Sequence, residues 1–486
     1  MSIFGLFSKR KPKAPLRFHN TLSDELEDFT PLNVAVRMYN CGPTVYGTQH
    51  IGNMRAAVFA DILRRTLSLW GHRVKQVINI TDFGHLSSDA DEGDDKMTLG
   101  LRNEGLELTL PNMKALAEKY TEEYFHDLDE LNVERRLITF PRASDYIQEQ
   151  ISLIRSLEEK GYAYATDLGV YFDVAKFSGY GKLGAINLSG LRGGARVEGT
   201  SHKKGPLDFI LWKADTRLGW QSPWGLGFPG WHIECTAMIF QLLGKQIDIH
   251  TGGIEHIPVH HNNEIAQAEA ATGKTFVSYW LHNDHITIEG KKISKSLGNT
   301  VYVHNIRDHG FSPIALRYWF LTAHYRSPAN FTWTALEGSA QALTRLYRLF
   351  FEELPKTGHT SKEFTEAFDA AIGNDLDTPK ALALMWDMLK DPNITPHEKR
   401  GNMLYADAVF GLGLGGSSNK LADMKSLKVL PQSEIPEDIA ELMSAREDAR
   451  LNKDFETADR IRGELKQLGY EIVDGTSGPT LRKFKA

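Results

Sequence analysis

Cysteine is nearly absent from this sequence: Cys41 and Cys235 are the only two among 486 residues. So sparse a set excludes a disulfide-stapled scaffold and reads as two buried reduced thiols, a single long-range bridge being the alternative. No apolar run is long enough to span a membrane. No secretory leader is evident, because the start M-S-I-F-G-L-F-S-K-R-K-P-K places its short apolar run before its charges, the reverse of a signal peptide. Its basic residues read as a mobile tail. An excess of positive charge is also missing: the formal charge is −6 and the isoelectric point near 6.3. That balance excludes a broadly basic protein that coats nucleic acid, while leaving room for a local basic surface. Repeats of solenoid period are absent. What remains is a cytosolic chain, 41% apolar, with enough length for several domains.

Local patterns supply the organisation. A-V-R-M-Y-N-C-G (Ala35–Gly42) predicts a strand ending in a glycine turn, and V-K-Q-V-I-N-I-T-D (Val74–Asp82) a second, buried strand. Between them, apolar residues at Ala57, Phe59, Ala60, Ile62, Leu63 and Leu67 predict a helix over Met54–Trp70. Strand, helix and strand at this spacing form a βαβ unit, so the fold class is α/β with a parallel sheet. Ligands of such sheets sit beyond the carboxyl ends of the strands. Cys41, the loop after it, Thr81 and Asp82 therefore face one crevice. Glu130 to Pro223 is mixed, and L-S-G-L-R-G-G-A-R (Leu188–Arg196) marks an inserted module with exposed loops. K-Q-I-D-I-H-T-G-G (Lys245–Gly253) returns to strand and glycine turn. The chain is largely helical after Thr332, and G-L-G-L-G-G-S-S-N (Gly411–Asn419) ends that region. Glu437–Gly469 then reads as a pair of charged helices.

Three segments could carry chemistry. Cys41, Cys235 and the stretch V-H-H-N-N-E (Val259–Glu264) could converge at one sheet edge and offer two thiolates, an imidazole and a carboxylate, a donor set suited to zinc. Spacing leaves the histidine open: His260 and His261 lie four and three residues before Glu264, and both separations share a helix face. T-V-Y-G-T-Q-H-I-G-N-M-R (Thr44–Arg55) enters a helix just after the first strand, where backbone amides, His50 and Asn53 could receive phosphate oxygens. E-G-K-K-I-S-K-S-L-G-N (Glu289–Asn299) could clamp a polyphosphate. Taken singly, each has a plainer reading: core thiols, an ordinary helix entry, a solvated charged loop.

Taken together they form a pattern. Asn40-Cys41-Gly42, H-I-G-N (His50–Asn53), G-W-H-I-E-C (Gly230–Cys235), H-H-N-N-E (His260–Glu264) and K-I-S-K-S (Lys292–Ser296) follow in this order. The chain thereby resembles the cysteinyl-tRNA synthetases, a family of class I aminoacyl-tRNA synthetases whose HIGH and KMSKS signatures match H-I-G-N and K-I-S-K-S. The resemblance runs from about Leu16 onward. It includes N-I-T-D (Asn79–Asp82), D-F-I-L-W-K (Asp208–Lys213), S-P-W-G (Ser222–Gly225), H-Y-R-S (His324–Ser327) and A-R-E-D-A-R-L-N-K-D-F-E-T-A-D (Ala445–Asp459).

The resemblance implies a Rossmann-like parallel-sheet catalytic domain in two halves, 17–129 and 225–331, split by a connective module at 130–224. An N-terminal extension (1–16) would precede it, and a helical tRNA-binding domain (332–430) and a C-terminal anticodon-binding domain (431–486) would follow. It implies ATP, L-cysteine and tRNA(Cys) as substrates of a monomeric ligase, with one zinc ion per chain and magnesium accompanying ATP. It selects Cys41, Cys235, His260 and Glu264 as zinc ligands, and Gly42, Thr44, Thr81 and Trp231 as the cysteine pocket. His50, Gly52, Asn53, Lys292, Ser294 and Lys295 would hold ATP, with His50, Asn53, Lys292 and Lys295 acting in catalysis. A soft metal would tell thiol from hydroxyl where shape alone discriminates poorly, so no editing domain is expected.

Three positions depart from the family pattern: Asn53 for the second histidine of HIGH, Ile293 for the methionine of KMSKS, and Asn262 for an acid common in H-H-E-N-E. G-H-L-S-S-D-A-D-E-G-D-D (Gly84–Asp95) also looks longer than usual and reads as a mobile acidic loop over the pocket. Two rivals share much of this signal. One is a ligase joining cysteine to an amino sugar in mycothiol synthesis; the other is a non-catalytic RNA-binding paralogue.

Overall fold

The computed structural model describes residues 14–83, 96–186, 202–294, 298–416, 435–452, 454–475 and 478–483. The basic start, the acidic stretch 84–95, the glycine-rich 188–196 and Lys295 lie outside the described residues.

A short antiparallel pair, β1 (Arg17–Asn20) and β2 (Glu25–Asp28), precedes β3 (Ala35–Asn40), α1 (Ile51–Leu69) and β4 (Arg73–Ile78). The helix begins three residues earlier than its apolar pattern suggests, because His50 caps it. Next come α2 (Lys96–Asn103), α3 (Leu110–Glu130), the two-residue β5 (Ile138–Thr139) and α4 (Ile147–Glu159). A second sheet uses β6 (Ala163–Thr166), β7 (Gly169–Phe172), β8 (Phe209–Ala214), β9 (Trp220–Ser222) and β10 (Gly225–Pro229). The chain returns through α5 (Trp231–Leu242), β11 (Ile247–Gly253), α6 (Asn262–Thr272) and β12 (Val277–Asn283).

Strand order in the central sheet is β12-β11-β3-β4-β5, and every pair is parallel. Such a sheet needs crossovers and cover on both faces, and α1 is buried along most of its length accordingly. The second sheet, β6-β7-β8-β10-β9, is antiparallel throughout. It packs its own apolar cluster, including Phe172, Phe209 and Trp212, against Ile233 and Ala237 of α5. β5 belongs to the parallel sheet and β10 to the antiparallel one, so all the strands of the second sheet fall between β5 and β11 of the first, as an insertion.

A hairpin, β13 (Ile286–Ile288) with β14 (Lys291–Lys292), leads into the lysine-rich loop. Beyond it lie α7 (Val303–Asp308), α8 (Pro313–Leu321) and β15 (Ala329–Phe331), which pairs in parallel with β13. Among the described residues, α9 (Trp333–Arg348), α10 (Lys362–Ile372), α11 (Thr378–Lys390) and α12 (Pro396–Phe410) follow. Their apolar faces merge with those of α1 and α8 into one large core. The chain ends in α13 (Glu437–Leu451), α14 (Phe455–Gln467) and the hairpin β16 (Tyr470–Gly475)–β17 (Gly478–Lys483), which share a small separate core of Ile439, Ile461, Leu465 and Ile472. Among the described residues no helix is long and apolar enough to cross a membrane.

H-Y-R-S finds a structural role at the join with the helices. Asp375 adopts a left-handed backbone (φ 60°) and accepts from Tyr325 Oη at 2.6 Å, Arg326 Nε at 2.7 Å and the backbone amide of His19 at 2.9 Å. These bonds hold a conformation that a non-glycine residue adopts rarely.

One acidic side chain is poised to respond to pH. Burial pushes Asp127, on α3, up to about 7, and the Glu130 charge adds to this while Arg307 opposes it. A raised carboxyl pKa means the folded state binds the extra proton, so stability is lost as pH climbs from the unfolded value of about 4. Asp127→Asn should therefore raise the unfolding free energy measured in urea at pH 8 by about 1–2 kcal/mol after allowing for solvent screening. It should change little at pH 4, and an equal shift at both pH values would refute the assignment.

Candidate active site and metal-binding cluster

The site lies where β3, β4, β11 and β12 end. Register places Thr251 beside Asn40 and Gly253 beside Asn283. Beneath it, a polar ladder crosses three strands: Gln76 Nε2 donates to Asn40 Oδ1 at 2.8 Å, and Asn40 Nδ2 to Thr251 Oγ1 at 2.6 Å. The Cys41 amide donates to Thr251 O at 3.0 Å, so the first thiol leaves the sheet from a fixed strand end. Gly42 is required there, because a Cβ would sit 1.7 Å from the Asn79 carbonyl oxygen.

Four donors from separate segments meet above this edge. One ligand atom each from Cys41, Cys235, His260 and Glu264 lies within 4.8 Å of the others. Cys235 comes from α5. His260 and His261 come from a π-helical turn, Ile257–His261, and Glu264 from α6. A π turn is wider than an α turn, and here both adjacent histidines are buried against the cluster. His260 Nε2 lies 2.7 Å from Glu264 Oε1 and 3.7 Å from Cys235 Sγ. Its Nδ1 meets His232 Nδ1 at 2.9 Å, which fixes the ring. A second set, Cys41, His250, His261 and Glu264, satisfies the same 4.8 Å limit. His261 Nε2 is 3.3 Å from Cys41 Sγ, and its Nδ1 is 2.7 Å from His282 Nε2. Geometry alone thus keeps both histidines in play. Donor chemistry separates the sets, because only the first contains both sulfurs, the combination favoured by zinc.

Electrostatics fit a cation at this point. Burial pushes the Cys41 thiol well up, and Cys235 and Glu264 push the same way. For Cys235 burial works upward too, but hydrogen bonds from Cys41 and His260 prevail and bring it down to about 6. Burial alone would lower His260; the Glu264 charge carries it up to about 9. Burial would raise Glu264, yet His250 and His260 hold it well below the usual carboxylate range. The resulting thiolate, carboxylate and paired imidazolium form a buried charge cluster in which a metal ion could take the place of the protons. Burial pushes the surrounding His232, His256 and His261 well down and His282 to about 3, so these rings are neutral at pH 7.

The remaining residues expected from the sequence fall nearby. Trp231 opens α5 and stacks on His260, ring centroids 4.0 Å apart and planes 26° apart. Thr44 and Thr81 form a backbone bridge, and Thr81 is 1% exposed. A directional chain runs behind them. The Gly42 amide donates to Asn79 Oδ1 (2.8 Å), Asn79 Nδ2 to Thr81 Oγ1 (3.0 Å), and Thr81 Oγ1 to Glu234 Oε2 (3.1 Å). The roles of Asn79, His232, Glu234, His250 and His282 were not drawn from the sequence. For two of them position supplied a usable signal, since Asn79 and His282 sit at the ends of parallel strands, whereas His250 is in the middle of β11.

At the helix start, His50 Nδ1 accepts from the amides of Gly52 (3.1 Å) and Asn53 (3.3 Å), and Asn53 Oδ1 accepts from the His50 amide (3.2 Å). This reciprocal cap commits Nδ1 as an acceptor, so in the neutral ring the proton is on Nε2. Asn53 is exposed and acts here as the capping partner. The Ile51 amide donates to Val301 O at 2.9 Å. Lys292 ends β14 and is exposed. Asn299 closes the base of its loop, accepting from the Ser294 amide at 2.9 Å and donating to Lys292 O at 3.0 Å.

Comparison with known proteins finds matches to both the catalytic and the C-terminal parts of the chain. Residues 29–341 match the model of the class I (C) tRNA synthetase catalytic domain, and residues 432–477 that of the cysteinyl-tRNA ligase anticodon binding domain. A cysteine–tRNA ligase of Burkholderia lata is 42% identical over 96% of this chain and 97% of its own length. One from Thermus thermophilus is 41% identical over 96% of this chain and 99% of its own. Among solved structures, a methionyl-tRNA synthetase of Mycobacterium tuberculosis bound by methionyl-adenylate superposes with a TM-score of 0.55. It is 12% identical, over 82% of this chain and 95% of that one, a likeness of fold. The parallel sheet, its antiparallel insertion and these matches give one conclusion: the chain is a class I aminoacyl-tRNA synthetase and belongs to the cysteine–tRNA ligase family.

Proposed function

We propose that this enzyme activates L-cysteine with ATP to cysteinyl-adenylate and transfers it to the 3′ end of tRNA(Cys), using zinc to select the substrate thiol. The observation that carries the reading is the meeting of both cysteines with His260 and Glu264 at the carboxyl edge of the parallel sheet. Bound there, zinc would supply a soft Lewis-acid position for the substrate sulfur, which a serine hydroxyl fills poorly.

The chain's own groups would do the rest by positioning and charge stabilisation. Gly42, Thr44, Thr81 and Trp231 shape the cysteine pocket. Thr81 has its proton committed to Glu234, which leaves its oxygen as an acceptor for the substrate's ammonium. The substrate carboxylate attacks the α-phosphate of ATP in line, and pyrophosphate leaves. His50, through Nε2, Gly52 and the Asn53 side chain contact the phosphates at the helix start. Lys292, Ser294 and Lys295 hold the triphosphate as charge develops, with magnesium accompanying ATP. The helices from Trp333 onward and the C-terminal unit bind the tRNA. This reading carries with it a monomer working in the cytoplasm.

The test is cysteine-dependent ATP–pyrophosphate exchange, followed by charging of tRNA, with zinc measured on the same sample. About one zinc per chain and a preference for cysteine over serine of at least about 10³-fold are expected, since a metal–sulfur bond has no equivalent in the serine complex. Loading of an amino sugar but not tRNA would establish the mycothiol-type rival. Absence of exchange in zinc-replete protein would establish the RNA-binding one.

A further inference from the structure

Arg55 lies one helical turn into α1, five residues after His50, and is only 3% exposed. Its guanidinium meets four backbone carbonyls. Nη1 donates to Asp284 O (2.9 Å) and His285 O (3.0 Å), and Nη2 to His324 O (3.0 Å) and Ser327 O (2.8 Å). A buried cation satisfied by carbonyl dipoles is an expensive way to join segments, since desolvation opposes the charge. Burial indeed lowers Arg55 to about 10, so it stays charged at neutral pH. What the four carbonyls belong to gives the arrangement its meaning. Asp284 and His285 lead directly into β13, the first strand of the hairpin that ends at Lys292. His324 and Ser327 are the two ends of H-Y-R-S, which leads into β15, the parallel neighbour of β13.

The other foot of the lysine-rich loop is tied to the same stretch of helix. Ile51 donates to Val301 O, and His50 bridges Tyr302. Between the two ties, a methyl group added at Gly52 would lie 3.4 Å from Ile293 Cδ1. The first five residues of α1 thus hold both ends of the segment 284–302, and Arg55 makes the hold on its leading end.

We propose that Arg55 is a positioning residue for adenylate formation, fixing the root of the Lys292 hairpin against the helix start that carries His50 and Asn53. The proposal rests on the function given above, in which these two segments hold opposite sides of ATP. Lysine at this position keeps the charge but cannot match the planar, forked donor set. Misplacement of reacting groups by about 1 Å can cost about 10²-fold in rate. Arg55→Lys should therefore lower kcat for cysteine-dependent pyrophosphate exchange at least about tenfold. Zinc content and the KM for cysteine should stay within about twofold of the parent, because none of the four carbonyls that Arg55 binds belongs to a residue of the thiol cluster. Transfer of cysteine from preformed enzyme-bound adenylate to tRNA should also be unchanged in a single turnover.

A double-mutant cycle separates positioning from general support. In a Lys292→Ala background the Arg55→Lys penalty should shrink, since the hairpin then has less to deliver. Arg55→Gln, made in parallel, keeps the test open if the lysine variant does not fold. Exchange within twofold of the parent would overturn the proposal. So would full additivity in the cycle, or parallel loss of zinc, cysteine affinity and transfer. Failure of the parent enzyme itself to exchange would refute the function and not the role of Arg55 within it.

Discussion

Cysteine-dependent pyrophosphate exchange by a Cys235→Ser variant should fall at least about 100-fold, and its bound zinc should drop to a small fraction of the parent's. Outer-shell changes at metal sites alone cost about 10–100-fold in affinity or activity, so loss of a sulfur ligand sets a floor. The magnitude follows from how closely the donors depend on one another. Cys235 is 1% exposed, and its thiolate is one of the partners that raise His260 to about 9. Serine is smaller and does not ionise, so His260 and Glu264 keep an ion pair with one favourable neighbour fewer. The hydroxyl is also a harder and weaker zinc donor. Discrimination should collapse along with rate, because shape alone separates near-isosteres such as serine and cysteine poorly. Measurement of metal by atomic emission, with exchange on cysteine and on serine, checks both arms. A zinc-free variant that still prefers cysteine strongly would remove the metal from the account of specificity.

The second large effect concerns stability. Asp61, on α1 and fully buried, receives three guanidiniums: Arg64 Nη2 at 2.6 Å, Arg65 Nε at 2.6 Å and Arg317 Nη2 at 2.7 Å. Arg317, on α8, also donates to Phe410 O at 2.6 Å and Leu131 O at 2.9 Å. The hub thus joins the first helix of the catalytic unit to α8, to the end of α12 and to the turn after α3. Gly411 closes it with a left-handed backbone (φ 65°), and a Cβ there would lie 2.4 Å from Arg317 Nη2. Burial raises the Asp61 carboxyl, but Arg65, Arg317 and Arg64 overcome it and hold it far below the usual range. Asp61→Asn leaves the guanidiniums without their shared counterion, at a cost on the order of 3–5 kcal/mol. That is a large share of an ordinary domain's stability of about 5–15 kcal/mol. Urea unfolding at pH 7 checks it. The sign with pH is fixed by the depressed folded pKa. The contribution is whole above the unfolded value of about 3.9 and fades only as pH falls below it toward the folded one. The gap between parent and variant should therefore be constant from pH 5 to 8. A variant as stable as the parent would mean that the arginines find other partners.

The sequence by itself determined the local elements and the family. Buried-strand and helical patterns around residues 35–82 announced the βαβ unit, because burial of a parallel strand and of a crossover helix leaves a mark on each residue's own chemistry. The ordered motifs from Asn40-Cys41-Gly42 to K-I-S-K-S did the same for the family, since each is short and local. The pair Glu437–Gly469 was legible for the same reason and appears as α13 and α14.

Only the tertiary structure decided which groups meet. Spacing could not separate His260 from His261, because both lie a helical step from Glu264. Folding gives them different neighbours: His260 is 3.7 Å from Cys235, and His261 is 3.3 Å from Cys41. The same limit hid the neutral histidines around the cluster, the Asn79–Thr81–Glu234 chain, the Asp61 hub and the four carbonyls around Arg55. Arg55 and Ser327 are 272 residues apart. Nothing in either residue's local sequence encodes the other, since a carbonyl acceptor belongs to every residue and becomes a partner only when the sheet, its insertion and the helices pack together.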